Sequence, residues 1–100
     1  MKGYRFTDPA EEDLAEAIDY YDRQRAGLGD EFVRELWKAI QRVREWPNAR
    51  TKLSEHTRRC RLNRFPYAVL YQVRDDHVLI IAIMHLHREP NSWRNRELGI

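Results

Sequence analysis

Two apolar stripes of helical period, one on each side of Gly27-Leu28-Gly29, constrain this chain more than any other feature. Leu14, Ala17, Ile18 and Tyr21 recur at helical spacing, and so do Leu28, Phe32, Leu36, Ala39, Ile40 and Val43. A helix with one apolar stripe must bury that stripe. The short glycine-bearing connection folds the two helices back on each other as an antiparallel hairpin. Asp8 is expected to cap the first helix and Pro9 to take its first position, where a missing N–H costs nothing. Glu11, Glu12 and Asp13 put negative charge at the positive end of that helix. The helix is expected to end near Ala26, with Gly27 in the left-handed conformation that closes helices. Pro47 stops the second helix just after Trp46. Val33, Trp37 and Ile40 form a second apolar column, read either as a wide core face or as a ridge for a partner.

The period then changes from helical to two. Gly3 to Phe6 reads as a short first strand, and residues 48–57 read as a polar loop. Arg58 to Asn63 alternates, with Cys60 and Leu62 on one face and Arg59, Arg61 and Asn63 on the other. Phe65-Pro66 turns the chain into Tyr67 to Arg74, rich in β-branched and aromatic residues. Asp75-Asp76 makes a tight hairpin. His77 to His87 is apolar on both faces through Met84, so it is expected to be the central strand. Glu89-Pro90-Asn91 breaks it, and Ser92 to Arg96 can form one helical turn. The fold class is α+β. Residues 1–100 are expected to form one domain, an N-terminal strand and helical hairpin packed on a twisted antiparallel sheet, in the order β-α-α-β-β-β.

Composition narrows the functional classes. The 100 residues include one cysteine, which excludes a disulfide framework and a cysteine-based zinc site. Cys60 is expected to be a small buried hydrophobe. The N-terminus lacks the apolar segment of a signal peptide, and no apolar run reaches the roughly 20 residues that span a bilayer. A cytoplasmic protein without membrane contact is expected. Residues 1–46 hold 8 Lys/Arg against 11 Asp/Glu, a balance of −3, and residues 47–100 hold 10 against 5, a balance of +5. The basic half is where a polyanion or an acidic partner would be attracted.

The residues that can carry chemistry lie in that half. Arg59 and Arg61 point away from Cys60 and Leu62, so they line the face that the helices leave open, with Arg58 and Arg64 beside them. Paired guanidinium groups grip phosphates or carboxylates bidentately. His85 and His87 close the last strand on one shared face, followed by Arg88. One of these histidines can serve as general acid or base near neutral pH. No further ligands stand at metal-binding spacing, so neither a metal nor another cofactor is expected. His56 and His77 read as surface residues. Trp93, beside Arg94, either stacks on a base or folds the tail back over the sheet.

Several strings then converge. They are Asp8-Pro9-Ala10-Glu11, Ile18-Asp19-Tyr20-Tyr21, Gly27-Leu28-Gly29-Asp30-Glu31-Phe32 with Pro47 at the helix stop, Arg61-Leu62-Asn63-Arg64-Phe65-Pro66-Tyr67-Ala68-Val69-Leu70-Tyr71, and Met84-His85-Leu86-His87-Arg88-Glu89-Pro90 followed by Trp93. In this order they resemble the RelE/ParE superfamily of type II toxin–antitoxin toxins over nearly the whole chain. The resemblance implies a plasmid-borne or bacterial toxin that inhibits growth. It also implies a cognate antitoxin, an acidic or amphipathic segment that wraps the toxin in a hetero-oligomer. RelE-like members cut mRNA within the ribosome; ParE-like members poison DNA gyrase. Lys52, Arg59, Arg61, His85, His87 and Arg88 fall near the RelE-type functional positions, but Trp93 stands where a C-terminal tyrosine would be expected. Tyr20-Tyr21 and Phe65-Pro66-Tyr67 look more ParE-like, and that reading is favoured. A metal-independent ribonuclease, with Arg59, Arg61, His85, His87 and Arg88 as its catalytic set, is the alternative. An inactive relative that only binds antitoxin is the third reading. In each, Lys52, Arg58, Arg64, Trp37 and Trp93 are candidates for contact with target or antitoxin.

Overall fold

A computed structural model describes residues 1–88 and 91–97 of the chain. Glu89 and Pro90, expected to break the last strand, lie outside the described residues. Strand β1 (Gly3–Phe6) leads into the helices α1 (Asp8–Gln24) and α2 (Leu28–Glu45). Four strands follow, β2 (Thr51–Lys52), β3 (Arg58–Arg61), β4 (Tyr67–Val73) and β5 (His77–His85), and then a 3₁₀ turn over Ser92–Arg96. No helix among the described residues is long and apolar enough to cross a membrane.

The hairpin forms as the two stripes require, with differences at its ends. Thr7, not Asp8, caps α1: it stays extended and its hydroxyl accepts the Ala10 N–H at 3.3 Å, while Asp8 is already helical and Pro9 comes second. Helix α1 ends two residues early, at Gln24, because Arg25 turns extended after its N–H bonds the Tyr21 carbonyl. Gly27 does adopt the left-handed conformation, at φ 87°, but as the residue that opens α2. A glycine offers no side-chain cap. Asp22 of α1 supplies it instead, its carboxylate accepting the Gly29 N–H at 2.8 Å. One hydrogen bond thus caps α2 and ties the two helices together.

The sheet is wider than the expected three strands and is mixed. Its order is β1-β5-β4-β3-β2. Strand β1 runs parallel to β5, from Gly3 opposite His77 to Phe6 opposite Ile80, and the remaining pairs are antiparallel. The middle position belongs to β4, not β5. Part of the expected 48–57 loop pairs as β2, a strand of two residues that is too short to show any alternation. The helices cover one face of the sheet. Phe32, Leu36, Ala39, Ile40 and Val43 of α2 pack there with Ala17 and Tyr21 of α1 over Cys60, Tyr67, Val69, Tyr71, Val78, Ile80 and Ile83. Tyr21 stacks on Phe32 at 5.4 Å, and Phe65 meets both edge-on. Burial pushes the Tyr71 phenol up to about 12, and it donates to the Pro47 carbonyl at 2.7 Å.

The opposite face carries a smaller core of Ala68, Leu70, Ile81, Ala82 and Trp93. Here β5 departs from strict alternation. Tyr71 pairs with Ile80 and Leu70 with Ala82, so Ile81 is an extra residue, a β-bulge. Ile81 and Ala82 both join the smaller core, and Ile83 returns to the helix face. The run that reads as apolar on both faces is therefore a strand that changes phase. The tail closes over this core with Trp93 only 3% exposed. Two groups pin it. Arg96 grips Asp13 of α1 with both nitrogens and donates to the Ile81 carbonyl, and Glu97 accepts from the hydroxyls of Ser54 and Thr57.

The hairpin connection yields a direct test. Asp22→Ala should destabilise the fold by about 1 kcal/mol through loss of the cap. Gly27→Ala should cost about 1 kcal/mol, because a Cβ strains a left-handed residue. Both should appear as a lower urea midpoint with an unchanged slope.

Candidate functional site

Two clefts of different chemistry flank the end of β5. The larger, of about 700 Å³, lies between α1 and the last residues of β5. Its α1 wall carries Glu12, Asp13, Glu16, Asp19, Tyr20 and Arg23, and its other wall carries Tyr67, His85, Arg88 and Arg96. Arg88 donates to the Tyr67 hydroxyl at 3.2 Å, and the His85 ring meets the Tyr67 ring edge-on at 5.0 Å. Burial raises the Tyr67 phenol, against the pull of Arg88, so it stays protonated. Burial, then Arg88, then His87 push the His85 imidazole below its ordinary range, so it is neutral at pH 7.

The smaller cleft, of about 310 Å³, opens on the opposite face of the sheet. Arg59, Arg61, His87 and Arg94 line it over an apolar floor that includes Leu53 and Leu86. Arg59 and Arg61 do share the face away from the helices, as strand alternation requires. The face is not bare, however, because the tail has folded over part of it.

The five residues proposed as a catalytic set are divided between these clefts. Arg59, Arg61 and His87 line the smaller one; His85 and Arg88 line the larger. The bulge at Ile81 and the turn after His85 are the causes. Without the extra residue, His85 would fall on the arginine face. With it, His85 stands opposite Tyr67 on the helix face. The strand then ends, and the turn after His85 carries His87 to the other side. The two rings remain 5.7 Å apart across the strand end, and the His87 N–H bonds His85 Nδ1 at 3.1 Å. Equal spacing along a strand suggested a shared face, and the strand ends at His85.

The other candidates scatter. Lys52 stands opposite Arg58 in the β2–β3 pair, out of phase with Arg59, and Arg58 donates to the Arg50 carbonyl at 2.8 Å. Arg64 adopts φ 71° in the turn after β3 and pairs with Glu31 at 2.7 Å. The Arg64 and then the Arg25 hydrogen bonds hold the Glu31 carboxyl below its usual range. Arg64 thereby stitches the β3–β4 turn to α2. Trp37 is 44% exposed, with the edge of its ring against Tyr4 at 5.4 Å, and Val33 lies exposed one helical turn away. Trp93 is buried, and the Arg94 guanidinium lies 4.7 Å over its ring. Sequence reasoning missed Tyr67, Tyr20 and the α1 carboxylates as cleft residues. Their only signal was position, Tyr67 directly opposite His85 and the carboxylates on the α1 side away from the stripe.

Comparison with known proteins adds a family. The family model described as ParE toxin of type II toxin-antitoxin system, parDE, matches residues 4–90. Toxin ParE2 of Mycobacterium tuberculosis (strain CDC 1551 / Oshkosh) is 32% identical over 83 residues, which cover 82% of this chain and 79% of that protein. The protein of the same name from strain H37Rv gives the same figures. A solved structure titled as a chromosomal ParDE TA system from P. aeruginosa has a TM-score of 0.76 at 19% identity, over 87% of this chain and 98% of that one. At that identity the likeness is one of fold.

His85 supplies a pH test. Its imidazole titrates below the ordinary 6.5 when folded. As pH falls through 6.5 the unfolded chain gains a proton that the folded chain resists, so His85 destabilises the fold on the acid side and has no effect above it. Unfolding in urea at about pH 7.5 and about pH 5.5 should show a smaller acid loss for His85→Gln than for the parent chain.

Proposed function

We propose a mode of action for a chain that belongs to the ParE toxin family of type II toxin–antitoxin systems: it arrests growth by gripping DNA gyrase without breaking a bond itself, and a cognate antitoxin holds it inactive in the cytoplasm. The division of the His and Arg candidates between two clefts carries this reading. Metal-free cleavage of RNA needs a base at the 2′-hydroxyl, an acid at the leaving oxygen and cations on the phosphate, all within hydrogen-bond reach of one phosphodiester. Here His85 and Arg88 share a cleft whose α1 wall carries four carboxylates, while Arg59 and Arg61 face the other way. One observation favours the ribonuclease alternative: His87 shares the smaller cleft with both arginines. A single imidazole would then have to serve as both base and acid.

The ridge of Val33, Trp37 and Tyr4 is the surface we assign to the antitoxin. It combines exposed apolar area with a cation, since the Arg44 guanidinium lies 5.3 Å over the Tyr4 ring. That pairing suits an acidic amphipathic segment. Trp37→Ala should weaken binding of the antitoxin at least about tenfold while leaving the unfolding midpoint near that of the parent.

Expression without antitoxin separates the readings. We expect rapid growth arrest, accumulation of cleaved gyrase–DNA complexes and intact mRNA. Cuts in mRNA within the ribosomal A site would overturn the gyrase reading in favour of the nuclease. Normal growth would leave only the inactive antitoxin-binding relative. Arg59→Ala with Arg61→Ala should abolish toxicity in a chain that still folds.

A further inference from the structure

We infer that the smaller cleft binds the phosphodiester backbone of a DNA strand, so that the toxin touches its target's DNA as well as its protein. The inference rests on the gyrase reading above and goes on to say what the arginine face holds.

Charge selects this cleft. Arg59, Arg61, Arg94 and His87 line it, and no Asp or Glu among the described residues does. Among the described residues, neither Arg59 nor Arg61 forms an ion pair, so their guanidinium groups are not already spent on the protein's own carboxylates. The larger cleft sets four carboxylates against Arg23, Arg88 and Arg96, and Asp19 and Asp13 already engage Arg23 and Arg96. A phosphate meets carboxylates there and only cations among the described charged residues here.

Shape narrows the occupant. Arg59 and Arg61 are two residues apart on one face of β3, about 7 Å along the strand. Both forks therefore reach the same side of the recess, and each can take a phosphate bidentately. The floor of Leu53, Met84 and Leu86 is apolar, which suits a sugar or the face of a base better than a bare ion. A recess of about 310 Å³ does not seat a helix, whose width with side chains is about 10 Å. The antitoxin's amphipathic segment therefore fits the Trp37 ridge better than this cleft. His87 is exposed at the rim and adds a donor to the same side.

The test uses the full chain with fluorescently labelled oligo(dT) of about 20 nucleotides, the same length of duplex DNA and oligo(U), read by anisotropy. We expect the single-stranded DNA to bind and, with three arginine contacts, to weaken about 20-fold between 50 and 200 mM salt. Arg59→Ala with Arg61→Ala should lose at least tenfold in affinity, while Arg34→Ala, which removes an exposed cation on α2, should not. Absence of DNA binding at 50 mM salt would overturn the inference. So would equal loss in Arg34→Ala, binding of oligo(U) alone, or complete displacement of DNA by polyglutamate at equal charge, which would mark a site for an acidic protein. Cleaved gyrase–DNA complexes are measured in parallel. Lost DNA affinity with undiminished cleaved complexes would sink this inference alone; intact DNA affinity without cleaved complexes would sink only the gyrase reading.

Discussion

The extra residue at Ile81 governs where the end of the last strand points, and the make-up of the two clefts beside it depends on that direction. An antiparallel pair keeps strict two-residue alternation only while its register holds. By placing both Ile80 and Ile81 opposite Tyr71, β5 exchanges its faces halfway along. Val78 and Ile80 before the bulge and Ile83 after it all serve the helix-side core, while Ile81 and Ala82 build the core on the other side. A strand of nine residues thereby feeds two cores and delivers His85 to one cleft and, through the following turn, His87 to the other.

The second core would be thin without the tail. Ala68 and Ala82 are small, and the sheet face they occupy needs a large residue to close it. Trp93 fills that role from a short 3₁₀ turn that has little stability of its own. Its position is secured from both sides of the sheet. The Arg96 clamp reaches α1 and the edge of β5, and Glu97 reaches the loop before β3. The edge of β5 beyond Ile80 has no strand beside it, because β1 stops at Phe6. Asp13 and Arg96 occupy its polar groups instead, taking the Ile83 N–H and the Ile81 carbonyl. Charged side chains at an uncovered edge discourage pairing with another chain.

The two clefts consequently differ in charge although they share a strand. Helix α1 brings the acidic half of the sequence to one, and β3 with the tail brings the basic half to the other. The uneven charge distribution along the chain becomes a difference between the two sides of the molecule. The Trp37 ridge and the arginine cleft lie on opposite sides of the sheet, one on a helix and one on the face without helices.

The helical hairpin, its stop at Pro47, the buried stripe of α2, the burial of Cys60 and the outward face of Arg59 and Arg61 were all legible in the residues, because each depends on local periodicity and steric preference. The family resemblance was legible for the same reason, as an ordered set of local strings. Other features had no local signal. The parallel pairing of β1 with β5 joins residues more than 70 positions apart, β2 is too short to alternate, and the bulge shows only as an apolar run without period. The capping of α2 by Asp22 and the clamp of Arg96 on Asp13 arise where separate elements meet. Sequence by itself determined the two helices, every strand but β2, and which residue types carry charge on a strand. Tertiary structure alone decided which of those residues share a cleft, since one inserted residue reverses the side chains of the ladder beyond it and the turn after His85 sends His87 back to the other face.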